Sequence, residues 1–245
     1  MPFLLFLLGF VVSSSPSLAV ELDSRAEYAD CMLLTRRDPE AAYEKASRWQ
    51  GVGGGAAAKH CAAVALIGQS KYKDAGMRLE ALANEPLSLD IKAGVLSQAG
   101  QAWFLMGDYS RALAAQEAAF RVNPSDGGHL VDMGLSLAAA NNHADAEIKF
   151  SKALDLMPNV PDILAFRASS RRLQNKLDLA MTDVETALAY SPGGHLEALL
   201  ERGMIFRIQG DNPKAKADWL KIMKLAPDSS PAQLARRNLD LLEVK

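Results

Sequence analysis

Residues 93–158 state nearly the same sequence twice, at an offset of thirty-four. Leu96 aligns with Leu130, Gly100 with Gly134, Ala112 with Ala146, Ala119 with Ala153 and Pro124 with Pro158. A third copy continues the columns through Leu164, Ala168, Ala180, Ala187 and Pro192. A fourth follows after one inserted residue, with Leu199, Gly203, Ala215, Ile222 and Pro227. Repetition at a fixed period of this size marks a chain that stacks one supersecondary unit on the next. Such a stack buries its apolar faces between neighbours and needs no central core.

The columns name the unit. Small residues at Gly100, Gly134, Ala168 and Gly203 let a first helix press closely on a second, which answers with Ala112, Ala146, Ala180 and Ala215. Trp103, Leu137, Phe206, Tyr109, Phe150 and Trp219 fill the space between. The intervening turns, Gly107-Asp108, Asn141-Asn142, Asn175-Lys176 and Gly210-Asp211, are residues that accept left-handed backbone or cap the next helix. The closing prolines stop the second helix, because proline has no amide donor and crowds the preceding turn.

These columns resemble the tetratricopeptide repeat, a thirty-four-residue helix–turn–helix, best in Leu96, Gly100, Trp103, Gly107, Tyr109, Ala112, Ala119 and Pro124. The resemblance covers 56–229, in repeats of about 56–89, 93–126, 127–160, 161–194 and 196–229. It implies an all-α, right-handed α-solenoid. The third regular copy departs from the pattern, with Arg171 in place of an aromatic residue or Leu and Ala168 in place of Gly. Residues 20–55 read as a degenerate helical hairpin ending in the Gly-rich loop Gly51–Gly55, with Asp38 as N-cap and Pro39 in the first turn of its second helix. Residues 230–245 read as a capping helix carrying Leu234, Leu239, Leu241 and Leu242; a helix that docks on a partner is the alternative.

Residues 1–19 read as a signal peptide. Phe3 to Val12 is apolar, Ser13 to Pro16 is turn-prone, and Ser17-Leu18-Ala19 offers a cleavage point after Ala19. About ten apolar residues fall short of the ~20 that span a bilayer, so no stable span is expected after cleavage. An uncleaved N-terminal anchor is the alternative. Export, to the periplasm of a bacterium by resemblance, makes the two cysteines informative. Cys31 and Cys61 are an even pair on consecutive hairpins, able to form a disulfide or to remain buried thiols. His60 beside Cys61 does not make a zinc site, since no CxxC pair accompanies it.

Arg167 and Arg202 share a column, and sixteen residues beyond each lies Asp183 or Asp218. The other copies lack both members, with Ala99 and Ala115, or Met133 and Lys149. This joint presence predicts ion pairs between the two helices of one repeat, in a structural role rather than as ligand groups.

The remaining signals exclude several functions. A net charge of -2 gives no case for nucleic acid. The histidines are scattered, no phosphate-binding glycine motif is present, and no carboxylate pair recurs, so no enzyme, cofactor or metal is expected. In related arrays the first helices line a concave groove. The resemblance implies Gln101, Phe104, Val131, Leu135, Ala138, Ser169, Arg172, Met204 and Arg207 at that face. Apolar anchors beside Arg172 and Arg207 suit an extended or helical peptide with an acidic group. The Lys/Asn set that related chaperone-binding repeats use for a C-terminal carboxylate is absent. The expected function is therefore a protein-binding adaptor of the cell envelope. Alternatives are a homo-oligomer assembled through its terminal units and an accessory factor of an envelope biogenesis complex.

Overall fold

The computed structural model describes residues 18–243, and every regular element among them is an α-helix. The segment expected to direct export lies, through residue 17, outside the described residues. The helices fall into two compact units, residues 1–71 and 72–245.

The first unit holds α1 (Leu18–Arg37), α2 (Pro39–Gly51) and α3 (Gly55–Gly68). Asp38 caps α2 by accepting from the Ala41 amide at 3.0 Å, and Pro39 occupies the first turn, where no donor is required. The interior is small and alanine-rich: Ala42, Ala46, Ala58 and Ala62 are fully buried. Cys31 of α1 and Cys61 of α3 are joined in a disulfide, with both residues fully buried and their Cα atoms 6.2 Å apart. The bond closes 30 residues in a unit whose described interior is mostly alanine, where a covalent link contributes most. One turn earlier on α1, the Tyr28 hydroxyl meets His60 Nδ1 at 2.8 Å, and burial raises the tyrosine pKa.

The second unit begins with α4 (Tyr72–Ala83) and continues through α5 (Leu89–Met106), α6 (Tyr109–Val122), α7 (Gly127–Ala139), α8 (His143–Leu156), α9 (Pro161–Leu173), α10 (Leu177–Ala189), α11 (Leu196–Ile208), α12 (Asn212–Leu225) and α13 (Ser230–Glu243). Each helix packs on the next in chain order, and α5, α7, α9, α11 and α13 also contact one another in succession. The unit is an α-solenoid.

The turns repeat one geometry. Gly107, Asn141, Asn175 and Gly210 all have positive φ, and the following amide in each case returns to a carbonyl five residues back. Asp108 N reaches Trp103 O at 3.0 Å, Asn142 N reaches Leu137 O at 2.8 Å, Lys176 N reaches Arg171 O at 2.9 Å and Asp211 N reaches Phe206 O at 2.9 Å. This bond closes one helix, while Asp108, Asn142 and Asp211 cap the next through their side chains.

Within each hairpin the small residue of the first helix faces a residue sixteen positions later. A Cβ on Gly134 would lie 2.4 Å from Phe150, and one on Gly203 would lie 2.4 Å from Trp219. The third repeat carries Ala168 because Val184, in the same core cluster, occupies less space than either ring. The departure from glycine is thus matched by a smaller partner.

Candidate functional site: the face of the first helices

Four first helices, α5, α7, α9 and α11, lie side by side, so residues at equivalent positions form steps along one face. Pairing each first helix with the next gives three steps, of which α9–α11 is the most intimate. The positions equivalent to Arg172 and Glu201 are Phe104 and Asp132 at the first step, and Ala138 and Phe166 at the second.

At the third step Arg172 Nε donates to Glu201 Oε2 at 2.6 Å, and Nη2 reaches Oε1 at 3.4 Å. Both side chains are largely buried, at 12% and 13% exposure, so the pair is desolvated and mutually satisfied. Arg207 Nη1 donates to Asn238 Oδ1 of α13 at 3.4 Å. Met204 packs in a cluster that includes Leu239 and Leu242. The two arginines expected to receive an acidic group are therefore each engaged within the chain, and α13 lies against this end of the face.

The second step is apolar. Val131, Leu135, Ala138 and Phe166 are half-buried against a core of Leu130, Met133, Leu137, Phe150 and Ile163. Ser169 is also half-buried.

The first step is open. A pocket of about 370 Å³ lies between α5 and α7, lined by Ser97, Gln101, Phe104, Leu105, Gln116, Asp132 and Leu135. Gln101, Phe104 and Leu135 are residues that the sequence placed on the groove. Gln116 forms its floor, 3% exposed and hydrogen-bonded to Ser136 at 2.9 Å. Ser97 Oγ donates to Asp132 Oδ2 at 3.3 Å. Burial raises the Asp132 pKa against the lowering effect of Ser97 and of His129, with Asp126 adding to the rise. No lysine or arginine is paired with this carboxylate among the described residues.

Arg167 and Arg202 turn toward the second helices of their own hairpins. Arg167 grips Asp183 through Nε and Nη2 at 3.0 and 2.7 Å, and its Nη1 reaches Ser151 Oγ of α8 at 3.2 Å. Arg202 grips Asp218 at 2.8 and 2.7 Å. These fork-to-carboxylate bonds tie the two helices of a hairpin.

No family model matches this chain. Tetratricopeptide repeat protein 36 of Xenopus tropicalis is 32% identical over 108 residues, covering 43% of this chain and 54% of that protein. The Bos taurus protein of the same name is 35% identical over 108 residues, covering 43% and 55%. The chain thus spans about half the length of the curated relatives it matches. Among solved structures, one from the functional characterisation of pilF of Pseudomonas aeruginosa superposes with a TM-score of 0.68 at 19% identity, covering 90% of this chain and 99% of that one. YrrB, described as a TPR protein with an unusual peptide-binding site, superposes with a TM-score of 0.56 at 18% identity, covering 78% and 96%. The chain has the tetratricopeptide repeat fold.

In this tetratricopeptide repeat array one cluster has the donor types of a metal site. His195 Nε2 lies 3.0 Å from Asp162 and its Nδ1 lies 3.6 Å from Glu197. The same Nδ1 accepts from the Ala198 amide at 3.3 Å, so the ring acts as the N-cap of α11, and both carboxylates are exposed. Capping accounts for this histidine. No described helix is long and apolar enough to cross a membrane.

Asp132, Ser97, Leu105 and Gln116 were not foreseen as site residues. Asp132 had one signal in the sequence: it shares a column with Glu201, yet the position that answers Glu201 with an arginine answers Asp132 with Phe104.

Proposed function

We propose that this chain is a non-enzymatic adaptor of the cell envelope, holding a segment of a protein partner on the face of its first helices. The observation that carries this reading is the open step between α5 and α7. There a 370 Å³ pocket combines exposed apolar surface at Leu105 with hydrogen-bonding groups at Gln101 and Asp132. The same face is apolar at the second step and approached by α13 near α11. A mixed pocket on a rigid helical face suits side chains of an extended or helical segment. The YrrB likeness supports peptide binding on this fold.

Export to an oxidising compartment is part of the proposal. It is supported by the apolar run Phe3 to Val12 and by the buried Cys31–Cys61 bond, a type of link that persists where glutathione does not reduce it. A bacterial periplasm is the compartment we favour.

Photo-crosslinking tests the adaptor reading. A benzoylphenylalanine introduced at Leu105 should capture a discrete partner in cells, and Leu135→Arg should remove that product while leaving the helical spectrum unchanged. Equal capture from the two chains would overturn the reading.

A further inference from the structure

Repetition supplies an internal comparison that a single domain lacks. Arg172 and Glu201 show what occupies this inter-repeat position when both charges belong to the chain: a guanidinium lying on a carboxylate, at 2.6 Å, with both groups mostly removed from water. One step is apolar at both positions, with Ala138 and Phe166. The remaining step has the carboxylate without an arginine or lysine, its charged neighbours being His129 on its own helix and Asp126 at that helix's start. Asp132 stands where Glu201 stands, and Phe104 stands where Arg172 stands. A carboxylate partly withdrawn from water is costly while unpaired, and Ser97 offers it one hydroxyl at 3.3 Å. The pocket beside it is large enough for an entering side chain.

We infer that the α5–α7 pocket receives a basic side chain, lysine or arginine, from the partner polypeptide, completing at Asp132 the ion pair that Arg172 and Glu201 make internally. This inference rests on the proposed peptide-binding role and specifies its chemistry. The surroundings fit a cation on a flexible stem. Phe104, half-buried and 5.6 Å from the Tyr109 ring, gives an aromatic surface over which an ammonium or guanidinium is attracted. Leu105 and Leu135 can cover the methylenes, as apolar surface commonly does for Lys and Arg stems. Gln101 can accept a remaining donor through its amide oxygen. An acidic side chain would meet the Asp132 charge and be rejected. An acidic anchor, which Arg172 and Arg207 suggest in the sequence, finds both arginines already engaged.

Two experiments test this on the full chain. In the first, capped nonapeptides of Ala, Ser and Leu carry a central Lys, Arg, norleucine or Glu, and binding is followed by calorimetry and by amide shifts of Phe104 and Leu135. Lys and Arg should bind about tenfold more tightly than norleucine, with Glu weakest, and Asp132→Asn should reduce the Lys preference to near unity. Equal affinities for Lys and norleucine, both still shifting the groove amides, would overturn the inference and leave the adaptor reading standing. No groove shift with any of the four peptides would overturn both.

The second experiment needs no ligand. Phe104→Arg places a guanidinium at the position equivalent to Arg172. Its melting temperature should be about 2–4 °C higher beside Asp132 than expected from its effect in an Asp132→Asn background. Additive effects of the two substitutions would show that this position does not present a cation to Asp132, and would overturn the inference.

Discussion

Arg171 bonds Asp183 at 2.8 Å, although its column elsewhere is occupied by Trp103, Leu137 and Phe206. The apolar residue is replaced here by a charge that the array can use. Arg167 already holds both oxygens of Asp183, which is 2% exposed, and Arg171 extends the same network to Glu147 of α8 at 2.9 Å. Lys176 and Gln174 meet the other Glu147 oxygen at 2.7 and 3.0 Å. One polar layer thus joins α8, α9 and α10 across a repeat boundary.

Removal of the shared acceptor should therefore cost more than removal of one donor. Asp183→Ala leaves Arg167 without its carboxylate and Arg171 with Glu147 alone, and an expected loss of about 3–5 kcal/mol follows for a broken buried pair. Arg171→Leu restores the apolar character of the column and leaves Arg167 on Asp183, so its loss should be about 1 kcal/mol or less. Urea unfolding of both variants checks the asymmetry; equal losses would deny that Asp183 is shared.

The glycine columns make a graded prediction. A Cβ on Gly134 or Gly203 would stand 2.4 Å from Phe150 or Trp219, and both rings are fully buried with no space to retreat. Gly134→Ala and Gly203→Ala should each destabilise by about 1–3 kcal/mol through overpacking, despite alanine's better helix propensity. At Ala168 the order reverses: Ala168→Gly loses helix propensity and a methyl packed near Val184, at a cost of about 1 kcal/mol or more. Thermal melts of the three variants separate the cases.

The hairpin architecture was legible because it depends on short-range chemistry that recurs. Left-handed turn residues, side-chain caps, glycines facing rings and the Arg–Asp pairs sixteen apart are all column properties, and four copies make a column visible. The pocket was harder to read because it depends on pairs in different repeats. Arg172 looked like an exposed cation until Glu201, 29 residues later, was placed against it. Arg207 looked free because its partner, Asn238, lies on the terminal helix. Asp132 is not legible in the sequence because an acid on an amphipathic helix ordinarily faces water. Its meaning comes from the comparison between adjacent steps.

The disulfide should set the stability of the first unit. Cys31 and Cys61 are separated by 30 residues, for which loop entropy gives about 3–4 kcal/mol. The double substitution Cys31→Ser with Cys61→Ser should lower protection of α1–α3 amides in hydrogen exchange while leaving α7–α12 nearly unchanged. Because both sulfurs are buried, reduction in native buffer should be slow and limited by local opening. Immediate reduction by a mild thiol would contradict that placement.

Acid should loosen the polar layer first. Burial alone would raise the Glu147 pKa, but hydrogen bonds from Lys176, Arg171 and Gln174 outweigh it and hold the carboxyl below its ordinary range. The folded chain therefore binds this proton more weakly than the unfolded chain does. Its stabilisation is complete above the ordinary glutamate pKa and is lost as pH falls through the lowered folded value. Glu147→Gln should reduce stability at neutral pH and flatten the acid limb of a urea-midpoint profile taken between about pH 7 and pH 3. A parallel acid limb in the variant would remove Glu147 from the account.

Asp132 should behave in the opposite sense. Burial raises its pKa, so the folded chain holds this proton more tightly than the unfolded chain, and the associated stability is present at low pH and lost as pH rises through the raised value. At neutral pH this carboxylate, served by Ser97 and His129 but by no arginine or lysine, is a local cost that the fold carries. Asp132→Asn keeps the shape, can still accept from Ser97, and removes the charge. It should raise the urea midpoint at neutral pH, by the equivalent of a few tenths to about 1 kcal/mol, and the gain should vanish toward acid. A residue that weakens the free protein is explicable where a ligand supplies the missing charge, so the same substitution should abolish the lysine preference of the pocket. If Asp132→Asn instead destabilises at neutral pH, the carboxylate is structurally satisfied, and the contrast with Arg172–Glu201 loses its force.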